Sequence, residues 1–231
     1  MEKILISVII PTLNEQKHIA GLITSLLPEP GIEIIVSDGG SHDQTPDICR
    51  QYPVKFIDAA RGRGSQLNAG AEAAQGDILL FLHADSEIGP DLFRQIRNAT
   101  PGNIQWGCCK MQFSSRNFFY RMVAFGSNLR ARCFNSCYGD QGIFCSRELF
   151  FLSGGYPDIP LFEDLALSHK LRRYGRANIL SARVKTSTRR FQAQGPMRTL
   201  LKMQILKLFY YLGFNPQQLT VWYDAGGRRA L

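Results

Sequence analysis

Acidic residues are scarce in this chain: 19 Asp and Glu stand against 27 Lys and Arg, for a formal net charge of +8. Charged residues overall are ordinary at 20% and hydrophobic residues reach 45%, which excludes a disordered or fibrous chain. The six cysteines form no C-x-x-C pair, and a chain of 231 residues needs no disulfide staples, so reduced thiols are expected. Cys133 and Cys137 stand i, i+4 on an expected helix. They could share a metal, but buried structural thiols are the reading adopted. The N-terminus, MEKILISVIIPTLNE, lacks a basic segment leading into a long apolar stretch and a small-residue cleavage site. A cytoplasmic location is therefore expected. There is no internal repeat and no linker-like composition, which predicts one domain over 1–231.

Helix-turn-helix, zinc-finger and RNP-type patterns are missing too. The basic residues gather at Arg61-Gly62-Arg63, Arg130-Ala131-Arg132, Arg172-Arg173 and Arg189-Arg190. Such clusters suit anionic lipid, a phosphorylated small molecule or nucleic acid. Without a supporting motif nucleic acid ranks last, and no nucleic-acid partner is expected.

What the chain has is a series of short apolar runs, each ending in a polar loop. Ile6 to Pro11 is a strand stopped by proline. From Glu15 onward Ile19, Leu22, Ile23, Leu26 and Leu27 recur at the spacing of one helix face. Ile32 to Val36 repeats the run and ends in Ser37-Asp38-Gly39-Gly40, after which Thr45 is expected to cap a helix with Pro46 at its first position. Val54 to Ile57 gives a third strand; Ser65 to Gln75, closed by Gly76, gives a third helix. Ile78 to Leu82 then runs apolar without alternation, which predicts a strand covered on both faces. It ends in His83-Ala84-Asp85, at the sheet edge where open α/β folds bind ligands.

Alternating strands and helices imply a mostly parallel, doubly wound α/β sheet with right-handed crossovers. Beyond a helix from Asp91 to Ala99 the texture changes. Strands are expected at Gln105 to Phe113, Gly142 to Ser146 and Ala177 to Lys185, with helices at Phe118 to Phe134 and Phe162 to Tyr174. This half is expected to add antiparallel strands to the same sheet. The division predicted is a nucleotide-binding half over 1–100, an acceptor and catalytic half over 101–190 and a helical tail over 191–231.

In that tail, Met197 to Phe214 carries one apolar stripe at Leu201, Ile205, Leu208 and Leu212 and another at Met203, Leu206 and Tyr210. Its basic interruptions make it too charged to span a bilayer. An interfacial helix on anionic lipid and a helix packed on the domain, or on a second copy in a homodimer, are both consistent with it.

Gly62-Arg63-Gly64-Ser65-Gln66-Leu67 begins like a dinucleotide fingerprint but has leucine at the last glycine and follows the third strand, so that motif fails. No G-x-x-x-x-G-K-[ST] is present. A nucleotide could still bind at the strand ends, where Asp38 would accept from a base or ribose and Arg63 would reach phosphate.

Four stretches in order then carry a resemblance: SVIIPTLNE (7–15), SDGGSHDQT (37–45), FLHADS (81–86) and FEDLALSHKLRRYG (162–175). Together they resemble the nucleotide-sugar-dependent glycosyltransferases of family 2 with the GT-A fold, in particular small single-domain bacterial members with H-A-D and G-D-Q-G. The resemblance implies that Pro11, Thr12, Asn14, Glu15 and Asp38 hold the nucleotide of a UDP- or GDP-linked sugar, with Arg63 and Ala84 beside it. The family's D-x-D motif, which holds a divalent cation against the diphosphate, reads His83-Ala84-Asp85 here. Asp85 is the hard oxygen ligand that Mg²⁺ or Mn²⁺ prefers, and His83 would tilt the choice toward Mn²⁺; as a bare residue His83 is equally well a satisfied strand-end histidine.

Glu163-Asp164 resembles the family's E-D pair, which makes Asp164 the general base of an inverting, in-line transfer, with Glu163 beside it. Without the resemblance, both acids would simply favour the positive end of a helix. Gly139, Asp140 and Gln141 resemble the acceptor-side loop, and Arg189 and Arg190 are candidates to hold an acceptor phosphate. Processive members carry Q-x-x-R-W and long membrane spans, and neither is seen. The expectation is one sugar moved to an acceptor hydroxyl or lipid phosphate, with peripheral contact at the inner face of the membrane. The alternatives are a sugar nucleotidyltransferase, which would need a glycine-rich loop where Pro11-Thr12-Leu13-Asn14 stands, or a catalytically silent binding protein on the same fold.

Overall fold

The computed structural model describes residues 4–99, 105–115 and 117–224, the side chains of Arg190 and Asp224 excepted. The end of the expected tail, 225–231, lies outside these described residues.

Strand β1 (Ile6–Thr12) runs between β2 (Ile32–Asp38) and β4 (Ile78–Phe81), parallel to both, with β3 (Lys55–Asp58) parallel beyond β2. The crossovers contain α1 (Ile19–Leu26), α2 (Thr45–Cys49) and α3 (Arg63–Ala73). Val8 and Ile10 of β1 pack with Ile19, Leu22 and Ile23 of α1. Ile9, between them, packs with Leu67 and Ala71 of α3 in a separate cluster. Helices cover both faces of this strand, which is why its sequence shows no alternation. At Gly70 a Cβ would meet Ile9 Cγ2 at 2.4 Å, so α3 lies on the sheet more closely than a side chain permits.

The second half contains β5 (Glu87–Ile88), α4 (Leu92–Ala99), β6 (Trp106–Phe113), α5 (Phe118–Phe134), β7 (Ile143–Ser146), α6 (Arg147–Leu152), α7 (Glu163–Leu171) and β8 (Asn178–Thr186). All strands join one sheet in the order β3-β2-β1-β4-β7-β6-β8-β5. β7 is antiparallel to β4 and β6, β5 is antiparallel to β8, and β6 and β8 are parallel. The mixed half thus extends the parallel sheet as expected, and the loops after β1, β2 and β4 share one edge.

Three local expectations need correction. Thr45 is not the cap of α2: Gln44 holds that position, and the Thr45 hydroxyl donates to Asp43 and accepts from the Glu15 amide. The hydroxyl is occupied in joining two loops. Cys137 does not share a helix with Cys133, because α5 ends at Phe134 and Asn135 turns left-handed at φ +49°. Cys137 is buried but Cys133 is exposed, so the buried-thiol reading fails for Cys133, and the two do not converge on a metal.

The tail, in turn, is three helices, α8 (Arg189–Gln194), α9 (Pro196–Tyr211) and α10 (Pro216–Asp224). Met203, Leu206 and Tyr210 of α9 pack with Leu161, Phe162 and Leu165. Leu201, Ile205, Leu208 and Leu212 are exposed. One stripe therefore packs on the domain and the other faces outward. No helix among the described residues is long and apolar enough to cross a membrane.

Candidate active site

The loops after β1 and β2 are joined through one carboxylate. Asp38 is only 2% exposed. It accepts from Thr12 Oγ1 at 2.8 Å, the Ser41 amide at 2.7 Å, Ser41 Oγ at 2.6 Å and the Gly40 amide at 3.0 Å. Asn14, held left-handed at φ +57°, adds a second tie by accepting from the His42 amide at 2.9 Å. Gln66 of α3 then donates to the Thr12 and Ser37 carbonyls at 2.7 and 2.9 Å. Buried amide and carboxylate groups with full sets of partners make a rigid rim at this sheet edge.

Facing the rim is a cleft of about 640 Å³. Pro11, Thr12 and Glu15 line it from the first loop, Arg63 from α3, and His83, Ala84 and Asp85 from the end of β4. Asp140, Asp164 and Arg189 line it from the second half. Ten of the sequence-predicted site residues thus border one space. Asn14, Asp38, Gly139, Gln141 and Glu163 are not part of the lining. They sit behind it, and Asp38 in particular has its carboxylate engaged by its own loop. The Arg190 side chain lies outside the described residues.

Asp164 stands in the first turn of α7. Its Oδ2 accepts from the Gly139 amide at 2.7 Å and its Oδ1 from the Leu165 amide at 2.7 Å. Phe162, just before the helix, is buried at φ +68°, a conformation costly for a bulky residue. That strained residue and the helix start set the direction of the Glu163-Asp164 pair. Glu163 is buried and ion-paired to Arg63. Burial raises the Glu163 carboxyl above its ordinary range, with Arg63 pulling the other way. Burial also works against the Arg63 charge, but the Glu163 and Asp164 carboxylates outweigh it and hold the guanidinium protonated. Glu163 is therefore the anchor of Arg63, and Asp164 is the carboxylate that reaches the cleft.

His83 lies against the same loop: a Cβ added to Gly139 would meet His83 Nε2 at 2.6 Å and Asp164 Oδ2 at 3.4 Å. Asp85 is 3.5 Å from the Arg189 guanidinium, which also donates to Glu15 at 3.0 and 3.3 Å. Among the described residues, no three His, Cys, Asp or Glu side chains gather where they could hold a metal ion by themselves. The donor set still suits a hard divalent cation shared with a ligand. Asp85 and Asp140 bring carboxylates to the cleft, and Asp140 Oδ1 is buried without a hydrogen bond. A cation or its bound water would satisfy that oxygen, with ligand oxygens completing the shell. Burial, with Asp164 adding to it and Arg130 opposing, pushes the Asp140 carboxyl up to about 6.

Two cations stand beside this loop: Arg130, read from sequence as part of a basic cluster without a place in the site, and Lys207, which was not assigned to the site. Arg130 of α5 lies 3.2 Å over the Tyr138 ring and donates to Gln141 Oε1 at 2.7 Å. Lys207 of α9 lies 5.3 Å from the centre of the same ring and lines the cleft. Burial, reinforced by Arg130, lowers the Lys207 ammonium to about 8. Gln66 was likewise missed. The stretch around it was read only as a failed glycine motif, and nothing in its spacing marks a buried amide that bridges two strands.

Known proteins resemble the chain in sequence and in fold. It is 34% identical over 100 residues to an uncharacterised glycosyltransferase of Nostoc sp., an alignment covering 39% of this chain and 31% of that one. The fold superimposes on residues 1–349 of Staphylococcus aureus TarS in complex with UDP-GlcNAc, with a TM-score of 0.66 and 21% identity over 79% of this chain and 58% of the other. It also superimposes on the mannosyltransferase PcManGT of Pyrobaculum calidifontis in complex with GDP-Man and Mn²⁺, with a TM-score of 0.61 and 20% identity over 79% of this chain and 57% of the other. The chain spans about a third of the Nostoc relative's length. Its architecture is the GT-A fold of these structural neighbours. Residues 7–130, more than half of the chain, match the family model for glycosyl transferase family 2, and the chain belongs to that family.

Proposed function

We propose that this protein is an inverting glycosyltransferase that moves one sugar from a nucleotide diphosphate to an acceptor hydroxyl or lipid phosphate. The observation that carries the reading is the placement of Asp164: its carboxylate lines the cleft opposite the β1 loop, held by the Gly139 amide. The rigid rim made by Thr12, Asn14, Asp38 and Gln66 shapes a seat for the base and ribose of a UDP- or GDP-linked donor. Arg63, fixed by Glu163, faces the diphosphate.

The acceptor O–H gives its proton to Asp164 while its oxygen bonds to the anomeric carbon from the face opposite the leaving group. The bond from that carbon to the diphosphate oxygen breaks, and the nucleoside diphosphate departs with the electron pair. A lipid phosphate acceptor is already ionised and needs no base, so for it Asp164 would orient the phosphate through any remaining proton. Asp85, with His83 and Asp140, would hold a divalent cation, Mn²⁺ or Mg²⁺. Such an ion would neutralise charge on the departing diphosphate. The bound donors of TarS and PcManGT, and the Mn²⁺ of the latter, support this donor class and cation type.

The nucleotide half over 1–100 and the acceptor half over 101–190 meet at the cleft, and the enzyme works at the inner face of the cytoplasmic membrane. A screen of nucleotide sugars for diphosphate release, with and without polyprenyl phosphate, tests the reading. Acceptor-dependent release of one nucleoside diphosphate is expected. Release of pyrophosphate from a nucleoside triphosphate and a sugar phosphate would instead identify a nucleotidyltransferase. Donor binding without turnover under any acceptor would identify a silent binding protein.

A further inference from the structure

Two long helices of the second half carry apolar side chains that stay exposed among the described residues. On α5, Phe118, Met122, Phe125 and Leu129 recur at helical spacing and are 73, 52, 61 and 48% exposed. On α9, Met197, Leu201, Ile205 and Leu208 do the same, at 67, 62, 42 and 57%. The helix between them joins the two: Phe191 of α8 packs on Tyr120 of α5, with ring centres 5.7 Å apart, and α8 runs directly into α9. All three helices also wall the cleft, through Val123 and Ser127, Phe191, and Leu200, Met203 and Lys207.

Charge decides what covers this surface. Neither 118–136 nor 189–223 contains a single Asp or Glu, whereas Arg121, Arg132 and Arg198 are exposed beside the apolar stripes. A symmetric pairing of two copies would bring together two faces that both lack carboxylates, leaving the arginines with no acidic group to meet. An anionic bilayer satisfies both features, because apolar side chains enter the acyl boundary while the arginines stay at the headgroups.

We infer that α5, α8 and α9 form one platform that docks on an anionic membrane surface, so that the cleft takes its acceptor directly from the lipid. The inference rests on the proposed function only for the word acceptor; the docking itself stands on the exposed surface. It names the acceptor class as a membrane-resident lipid whose polar head passes between α5 and α9 toward Lys207.

The test is co-sedimentation of the whole protein with vesicles of phosphatidylcholine and phosphatidylglycerol in equal parts, and with phosphatidylcholine alone. Binding to the anionic vesicles is expected, weakening as salt rises, with little to the neutral ones. Met122→Glu with Phe125→Glu on α5, and separately Leu201→Glu with Ile205→Glu on α9, should each weaken binding about tenfold or more. The milder Phe125→Gln should move the same way. Loss of binding only from the α9 pair, equal binding to neutral vesicles, or a concentration-dependent dimer abolished by the same substitutions would overturn the platform. The thermal shift given by a nucleoside diphosphate with Mn²⁺ is measured on the same variants. If it persists while vesicle binding was never present, the docking fails and the donor site survives; if it is missing in the wild type, the donor reading fails whatever the vesicles show.

Discussion

The Gly139 amide donates to Asp164 Oδ2 across 2.7 Å, and this one bond joins the loop before β7 to the start of α7 in the wall of the cleft. A side chain at this position would have to move its neighbours. A Cβ at Gly139 would meet His83 Nε2 at 2.6 Å, so Gly139→Ala must displace the histidine, the loop or both. Overpacking of this kind costs about 1–3 kcal/mol. The larger effect is expected on turnover, which should drop at least about tenfold because a small misplacement of reacting groups is enough to do so. Steady-state rates beside thermal unfolding check the split; unchanged rates would show that the loop does not position Asp164.

Arg63 and Glu163 should behave as a unit. Removing the guanidinium in Arg63→Met leaves a carboxylate that is 1% exposed without its partner. Because Arg63 itself is 40% exposed, the loss should be about 2–3 kcal/mol, discounted from the fully buried case. Adding Glu163→Gln should recover part of it, since the unpaired charge is then gone. Urea unfolding of the two single variants and the double variant measures the coupling. Additive losses would mean that the pair contributes nothing jointly.

Asp140 gives a pH-dependent prediction with the opposite sign to an ordinary ion pair. Its folded carboxyl is pushed up to about 6 from 3.8, first by burial, so the protein holds this proton more tightly than the unfolded chain does. The stability it contributes is present below pH 3.8 and is lost as pH rises through about 6. Asp140→Asn should therefore stabilise the ligand-free protein at pH 7.5, by at most about 2–3 kcal/mol, with the difference vanishing toward pH 4. The same variant should bind a nucleoside diphosphate with Mn²⁺ more weakly. A variant no more stable than wild type at pH 7.5 would contradict this account of the orphaned oxygen.

Much of this was legible in the amino acids. The βα half was readable because β1, β2 and β4 are short apolar runs closed by Pro, Asp-Gly-Gly or His-Ala-Asp, and a strand covered on both faces has no other way to appear. Helix α5 was found to the residue, Phe118–Phe134. Short elements escaped: β5 has two residues and α6 and α8 six each, too few for a periodicity to show. At the site, a strand-end carboxylate reads the same whether it takes a ligand or its own loop. Asp38 is expected to hold a nucleotide, and in the ligand-free protein its oxygens accept from Thr12, Gly40 and Ser41, contacts that no local pattern announces. Lys207 and Gln66 become functional only through tertiary contacts from distant helices, which no local pattern encodes.

The cation should bind only together with the donor diphosphate, because the described residues alone gather too few ligands for a full shell. A nucleoside diphosphate with Mn²⁺ should raise the melting temperature, and the rise should largely disappear in EDTA. Asp85→Ala should remove the metal-dependent part and leave the unliganded melting temperature nearly unchanged, since among the described residues Asp85 is joined by a long contact to Arg189. Equal stabilisation with and without metal would assign the diphosphate to Arg63 and Arg189 instead.

The central claim is that Asp164 takes the acceptor proton, and turnover of Asp164→Asn tests it most directly once a hydroxyl acceptor is in hand. The amide keeps the size, and its oxygen can still accept from the Gly139 amide at the loss of the Leu165 bond, but it cannot take up the acceptor proton. Donor affinity should hardly change, while turnover should fall by about two to four orders of magnitude, the range for losing a general base. A variant that binds donor normally and keeps more than about a tenth of wild-type turnover would contradict the assignment, because that loss is smaller than a base supplies.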